Sequence, residues 1–89
     1  MIEFDLIITN VKGLHARASA KFVEKVESFN SRCEISKDGM SVSGDSIMGL
    51  LMLAASKGSS INVKVWGKDA DLLSSAIKAL IENNFDEAS

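Results

Sequence analysis

The chain has 89 residues, 46% of them hydrophobic, and its 10 basic and 12 acidic side chains give a formal charge of −2. A chain of this length buries about 60 to 65% of its unfolded surface, which is enough for one core of two packed layers but too little for a large enclosed active site. A pI near 5.3 without a run of like charges argues against nucleic-acid binding, which depends on clustered Lys and Arg. We expect a single domain over residues 1–89.

The sequence carries no signal for export or for a membrane. Its longest apolar stretch, residues 50–55, is far below the roughly 18 residues that suggest a membrane span. Residues 1–3 lack the basic start of a signal peptide. Cys33 is the only cysteine, so it can form neither an internal disulfide nor a multi-cysteine metal site. We expect a cytoplasmic protein with no metal, no cofactor, and no membrane or nucleic-acid partner.

The first half of the chain alternates between strand and helix patterns. Alternating apolar residues predict a strand that ends near Asn10, and apolar positions spaced at three and four from Ala16 to Phe29 predict a helix with one dry face. Two short alternating runs, residues 32–37 and 40–43, flank Asp38-Gly39. This dipeptide tolerates the positive φ angles of a tight turn, so the two runs are predicted to form a hairpin.

The second half predicts a helix, a strand and a final helix. Residues 46–55 are mostly apolar and predict a helix that is opened by the polar pair Asp45-Ser46. It is closed by Lys57-Gly58, a basic last turn and a helix-stopping glycine. Residues 60–67 alternate as a strand. The last helix starts at Asp69 or Asp71, with a buried stripe of Leu72, Leu73, Ala76, Ile77, Leu80 and Ile81. The order β-α-β-β-α-β-α predicts an α+β open-faced sandwich, a four-stranded antiparallel sheet with three helices on one face.

The only histidine lies between the end of a strand and the start of a helix, in Gly13-Leu14-His15-Ala16-Arg17. The first N–H groups of a helix lack internal partners and carry the positive end of its dipole, so a side chain there can hold an anion against them. Arg17 offers a planar fork of donors for phosphoryl oxygens, and Lys21 lies one turn further along the same face. Gly13 lets the backbone bend so that the imidazole points outward. A phosphate fits this position.

The residues alone leave a second interpretation open, in which His15 is a surface histidine and Arg17 and Lys21 belong to an ordinary solvated face. Catalysis through Ser, Cys or a metal is disfavoured. The chain has no second histidine, Cys33 lies in a different predicted element, and no spacing suggests an acid–base pair.

Two motifs together resemble a known family. The segment Gly13-Leu14-His15-Ala16-Arg17, followed by an alanine-rich helix, and the segments 45–53 and 55–58 are similar to the histidine phosphocarrier (HPr) family of the bacterial phosphoenolpyruvate phosphotransferase system. The resemblance runs over nearly the whole chain, and the family's fold has the predicted element order. It implies that His15 accepts a phosphoryl group on Nδ1, the pros nitrogen, from phosphorylated Enzyme I and passes it to an EIIA-type protein. Arg17 and the backbone N–H groups of Ala16 and Arg17 would stabilise the phosphate. No stand-alone small-molecule enzyme activity is expected.

One position departs from the common family pattern. Ala18 stands where most members have proline, which is favoured in the first helical turn but not required there. Together with residues 51–53 and 84–87, it makes the chain look more similar to the nitrogen-related (NPr) branch than to the sugar-transport branch. That implies the nitrogen-branch Enzyme I paralogue as donor, its EIIA paralogue as acceptor, and a regulatory output.

Ser46 has a structural and a functional interpretation. Serine is a favoured helix N-cap whose hydroxyl accepts a hydrogen bond from an N–H two or three residues on, worth about 1 kcal/mol. The resemblance implies a second role, because many family members are phosphorylated at the matching serine by HPr kinase/phosphorylase. A phosphate there would add about −1.5 to −2 charge beside the docking surface.

The helix from Ile47 is apolar on every side, but a short helix on a sheet buries only about half its circumference. The family pattern implies that Leu50 and Leu53 face inward and that the exposed half docks partners near His15. The implied docking residues are Leu14, Ala20, Lys21, Ile47, Met48, Leu51 and Met52. The alternatives for this surface are self-association or cover by the chain's own tail. We expect a monomer, because donor and acceptor must reach the same histidine in turn.

A function of another class also fits the sequence. In this alternative the chain is a non-phosphorylated α/β regulatory module that docks partners through the apolar helix 47–55, and His15 is incidental.

Overall fold

The computed structural model describes residues 1–87, which form a four-stranded antiparallel sheet and three helices. The elements are β1 Ile2–Ile7, α1 Ala16–Glu27, β2 Arg32–Lys37, β3 Met40–Ser43, α2 Ile47–Met52, β4 Ser60–Trp66 and α3 Ala70–Glu82. The strand order is β1-β4-β2-β3, and each neighbouring pair is antiparallel. The predicted α+β fold and its element order are confirmed.

The core lies between one face of the sheet and the helices. In the central strand β4, Ile61, Val63 and Val65 are buried and alternate with more exposed neighbours, as expected for a sheet with one dry side. The helices contribute Phe22 from α1 and Ile77 from α3, both essentially inaccessible. The alternation and the helical spacing in the sequence therefore identify the faces that pack together.

The β2–β3 hairpin turns where the sequence predicts it. Asp38 and Gly39 have φ angles of 50° and 84°, the positive values that both central residues of a type I′ turn require. The turn sets the register Lys37↔Met40. This prediction is confirmed.

Two local predictions are wrong. The second helix ends at Met52 instead of continuing to residue 55, because Ala54 adopts a left-handed φ of 51° that interrupts the helix. Leu72, predicted in the buried stripe of α3, is 60% exposed. The inward face of α3 is set by Leu73 and Ile77, and a neighbouring residue lies about 100° around the helix from that face.

Residues 84–87 fold back onto the turn that precedes α1. Asn84, Phe85 and Asp86 have φ angles of 54°, 55° and 61°, so α3 is followed by a left-handed turn. Phe85 is fully buried, and its carbonyl accepts a hydrogen bond from Lys21 Nζ at 2.7 Å. The Thr9 hydroxyl donates to Asn84 Oδ1 at 2.6 Å. These contacts bring Glu87 to the start of α1.

Candidate functional site

His15 occupies the N-cap position of α1, with extended backbone angles of φ −76° and ψ −179°. The turn before it is fixed by Gly13, which has a φ of 65°, and by Leu14, whose N–H donates to the Ala55 carbonyl at 2.9 Å. The first hydrogen bond within α1 runs from Ser19 N–H to the His15 carbonyl. The amides that precede Ser19 in the helix therefore belong to the unpaired first turn.

The two imidazole nitrogens of His15 have different surroundings. Nε2 lies 2.7 Å from Glu87 Oε2, and the His15 side chain is 27% exposed. Within residues 1–87, hydrogen bonding involves Nε2 and leaves Nδ1 without a partner. Asn10 Nδ2 donates to both oxygens of the same carboxylate, at 3.2 and 3.3 Å. Nε2 is thus held by Glu87, and Nδ1 is free to react.

An open cleft of about 550 Å³ surrounds the ring. It is lined by Val11, Lys12, His15, Ala16, Arg17, Lys21, Asp86 and Glu87. Three of these side chains are cationic, and the first turn of α1 adds its unpaired amides and the positive end of the helix dipole. Such a cleft favours a small anion beside His15. It brings together His15, Arg17 and Lys21 as the sequence predicts.

The pKa of Glu87 is lowered from its ordinary value of 4.5, mainly by the hydrogen bond from His15. Desolvation opposes this effect, while the hydrogen bond from Asn10 and the positive charge of Lys12 add to it. A carboxyl group with a lowered pKa stabilises the fold above its ordinary titration range. That stabilisation is lost as the pH falls through the lowered pKa.

We therefore expect the His15–Glu87 contact to be complete at neutral pH and to open only in acid, below the ordinary titration range of glutamate. The carboxyl ¹³C shift of Glu87, followed from pH 7 downward, measures the transition. In a His15→Ala variant the pKa of Glu87 rises, because the largest cause of its lowering is gone. The same midpoint in both proteins would contradict the assignment of that cause.

Ser46 caps the short helix α2. Its backbone is extended, and its hydroxyl accepts a hydrogen bond from Gly49 N–H at 3.0 Å. The Ser43 hydroxyl donates to Oδ1 of Asp45, the residue before Ser46, at 2.6 Å. The structural role predicted for Ser46 is therefore present, and the side chain is partly exposed.

Substitution Ser46→Ala is expected to lower the free energy of unfolding by about 1 kcal/mol, because Gly49 N–H loses its partner. Ser46→Asp is the matched control, since aspartate is an equally favoured N-cap and keeps the acceptor. Urea unfolding of the three proteins measures the difference. Equal stability of Ser46→Ala and the parent would contradict the capping role.

The exposed side of α2 is apolar. Ile47, Met48 and Met52 are 41%, 69% and 64% exposed, whereas Leu50 is fully buried. Leu51 and Ala20 are half-buried, and α1 packs against α2. The predicted docking residue Leu14 lies in the core at 5% exposure, because its backbone is tied to Ala55, so it offers little surface to a partner.

Sequence reasoning did not identify Asn10 and Glu87 as site residues. Asn10 is fully buried, with Nδ2 bonded to the Gly13 carbonyl at 2.8 Å, and its Oδ1 has no partner within the described chain. Glu87 is separated from His15 by 72 positions. The only available signal was the segment 84–87, which is polar except for Phe85.

The described residues contain no group of three or more His, Cys, Asp or Glu side chains arranged to hold a metal ion. None of the helices formed by these residues has the length and hydropathy that a membrane span requires.

A cleft built from one histidine, a helix N-terminus and cationic side chains suits a small anion such as a phosphoryl group. Residues 2–83 match the family model described as PTS-HPr, "PTS HPr component phosphorylation site". The chain belongs to the HPr family of the phosphotransferase system and is a phosphocarrier. The resemblance noted from the two motifs is confirmed.

Individual relatives agree with this assignment. The chain is 45% identical over 87 residues to the phosphocarrier protein HPr of Xylella fastidiosa (strain 9a5c), with 98% of each chain covered. It is 39% identical over 88 residues to the phosphocarrier protein NPr of Shewanella violacea, covering 99% of this chain and 97% of the relative.

Crystal structures of HPr from Thermoanaerobacter tengcongensis have the same fold. One, of HPr-C-His, superposes with a TM-score of 0.94 at 36% identity and full coverage of both chains. Another, described as an HPr dimer, has a TM-score of 0.77 at 37% identity and covers 98% of this chain and 100% of its own.

Proposed function

We propose that His15 is the residue that accepts and donates the phosphoryl group. The observation that carries this proposal is the difference between its nitrogens: Nε2 is bonded to Glu87, while Nδ1 has no partner in the described chain. The ring stands at the N-terminus of α1 in a cleft lined by Lys12, Arg17 and Lys21. Nδ1 is therefore the nucleophile, which agrees with the pros position that the family resemblance implies.

Arg17 and the backbone N–H groups of Ala16 and Arg17 stabilise the transferred phosphate in this proposal. These amides precede the first hydrogen bond of α1, so they are free to donate to phosphoryl oxygens. The Arg17 side chain is exposed and lines the same cleft, where its guanidinium group can bind two oxygens at once. The proposed contacts can stabilise the phosphoryl group while leaving it accessible to an acceptor.

The donor is phosphorylated Enzyme I and the acceptor an EIIA-type protein, and both dock on one surface. We assign to this surface Ala20, Lys21, Ile47, Met48, Leu51 and Met52. Its exposed methionines are long and unbranched and repack easily against different partners. In this proposal the chain acts as a single domain in the cytoplasm. It acts as a monomer, because one partly exposed histidine serves the two partners in turn.

Two observations bear on the branch of the family. Ala18 in place of the common proline supports the nitrogen-related branch and its Enzyme I paralogue. Against it, the relative named HPr is 45% identical to the chain and the relative named NPr is 39% identical. The donor that phosphorylates the chain faster assigns the branch.

Ser46 is the regulatory position of this proposal, with HPr kinase/phosphorylase as the modifying enzyme. Its hydroxyl is the N-cap of α2, and Ile47 and Met48 of the docking surface follow it directly. A phosphate at a helix N-terminus costs the fold little. Its negative charge would repel a phosphorylated donor.

The test is a transfer assay with purified proteins. The chain is incubated with phosphoenolpyruvate and each of the two Enzyme I paralogues, and its intact mass is followed before and after an EIIA-type acceptor is added. We expect one acid-labile phosphoryl group to appear and then to move to the acceptor. A chain that gains no phosphoryl group from either donor contradicts the proposal and favours the non-phosphorylated docking module.

A further inference from the structure

Glu87 is held against His15 by contacts on both sides of its carboxylate. One oxygen lies 2.7 Å from Nε2 of the imidazole. Asn10 Nδ2 reaches the carboxylate and also donates to the Gly13 carbonyl at 2.8 Å. Asn10 is fully buried, so it ties the carboxylate to the turn that positions His15.

The segment that carries Glu87 is anchored independently of this contact. Phe85 is fully buried, and its carbonyl is bonded to Lys21. Left-handed φ angles are unfavourable for residues with a Cβ atom, yet three consecutive residues adopt them here. The anchors keep the chain in this turn, which directs residue 87 toward the ring.

We propose that Glu87 is a positioning residue that keeps a proton on Nε2 of His15 throughout the phosphoryl cycle, so that Nδ1 takes up and releases the phosphoryl group. The inference rests on the proposed role of His15. It concerns a residue that acts on the histidine and does not touch the phosphate.

Phosphoryl transfer to Nδ1 conserves atoms and charge when a proton stays on Nε2 of His15. The Nδ1 lone pair forms the N–P bond, and the bond between phosphorus and the donor breaks with its electron pair leaving on the donor. The ring, neutral with a proton on Nε2, thereby becomes a phosphorylated imidazolium. When the phosphoryl group moves to the acceptor, the N–P electron pair returns to Nδ1 and the ring is neutral again.

A carboxylate hydrogen-bonded to Nε2 stabilises the phosphorylated imidazolium more than it stabilises the neutral imidazole. Its interaction with a neutral N–H is a hydrogen bond, whereas its interaction with the imidazolium is an ion pair as well. Glu87 therefore stabilises the phosphorylated ring more than the free ring. It also keeps Nε2 protonated, so that a neutral imidazole leaves when phosphorus is attacked.

The test is an NMR titration of the full chain labelled with ¹⁵N-histidine and phosphorylated chemically with potassium phosphoramidate, which requires no Enzyme I. Glu87→Gln keeps an oxygen acceptor but removes the charge, and Glu87→Asp restores the charge on a shorter side chain. Glu82→Gln removes a carboxylate from the exposed end of α3 and is the matched control. The other charged residues lining the cleft, Lys12, Arg17, Lys21 and Asp86, are the same in every variant.

In the parent chain and in Glu82→Gln, we expect phosphate on Nδ1 and a proton retained on Nε2. In Glu87→Gln the pH at which the phosphorylated ring loses that proton falls by about one unit or more, and Glu87→Asp recovers part of the shift. Unchanged aromatic proton signals of the buried Phe85 in all variants show that residues 84–87 stay in place.

Equal midpoints in the parent and Glu87→Gln, or phosphate on Nε2 of the parent, overturn the inference. Detachment of the tail in Glu87→Gln with the midpoint unchanged also overturns it. Because phosphorylation is chemical here, these outcomes are independent of the donor. Failure of Enzyme I to phosphorylate the parent instead contradicts the proposed function.

Discussion

Substitution His15→Ala is expected to reduce phosphoryl uptake from phosphoenolpyruvate and Enzyme I to background, because the chain has no other histidine. The loss of stability should be small, about 1 kcal/mol, since the removed ring is partly exposed and its side chain makes one hydrogen bond within the described residues, to Glu87. Intact mass after incubation measures the uptake, and urea unfolding measures the stability.

The matched control is Lys25→Ala, which changes a charged residue in the last turn of the same helix. It should accept the phosphoryl group at the parental rate, because Lys25 does not line the His15 cleft. Uptake by His15→Ala at a rate near that of the parent would place the acceptor on another residue. If His15→Ala were unfolded, its cooperative unfolding transition in urea would be absent.

Substitution Gly13→Ala is expected to destabilise the fold by about 2 to 5 kcal/mol. The φ of 65° costs a residue with a Cβ about 1–2 kcal/mol. The added Cβ would lie 2.5 Å from the Ala55 carbonyl oxygen and 2.8 Å from Ser56 Cα, so the backbone must move, at a further cost of about 1–3 kcal/mol. Because Gly13 precedes the histidine turn, phosphoryl uptake should slow as well. Urea unfolding measures the first effect and the rate of mass gain the second.

Gly39→Ala separates the two causes. Gly39 has a φ of 84°, and a Cβ built there meets no atom within 4 Å, so only the conformational cost applies. We expect a loss of about 1–2 kcal/mol with normal phosphoryl uptake. If Gly13→Ala loses no more stability than Gly39→Ala, the close approach of Gly13 to the 55–56 backbone is not important for folding.

The fold was predictable because its elements have strong local signals. The buried positions of β4 alternate, and Asp38-Gly39 marks a turn whose residues adopt the positive φ angles expected. The end of α2 was not predictable, since it depends on the left-handed conformation of Ala54. The residue after Ala54, Ala55, is held by a hydrogen bond from Leu14 N–H to its carbonyl. Leu14 is distant in sequence, so the local sequence contains no information about this contact.

The candidate site was predictable in part for the same reason. His15 and Arg17 are neighbours in one motif and share the start of one helix, so the local pattern places them together. Glu87 reaches His15 only through the whole tertiary fold and the left-handed turn at residues 84–86. The burial of Leu14 follows from the hydrogen bond between its N–H and the Ala55 carbonyl, and the hydrophobic periodicity of the sequence does not predict this contact.

The most direct test of histidine phosphotransfer is to locate the phosphoryl group after the parent chain has reacted with phosphoenolpyruvate and Enzyme I. Fragmentation of the intact protein by electron transfer under neutral conditions preserves a phosphorus–nitrogen bond and assigns it to a residue. We expect one phosphoryl group, on His15, that is lost in acid. A phosphoryl group on any other residue, or none, would contradict the assignment of His15 as the carrier residue.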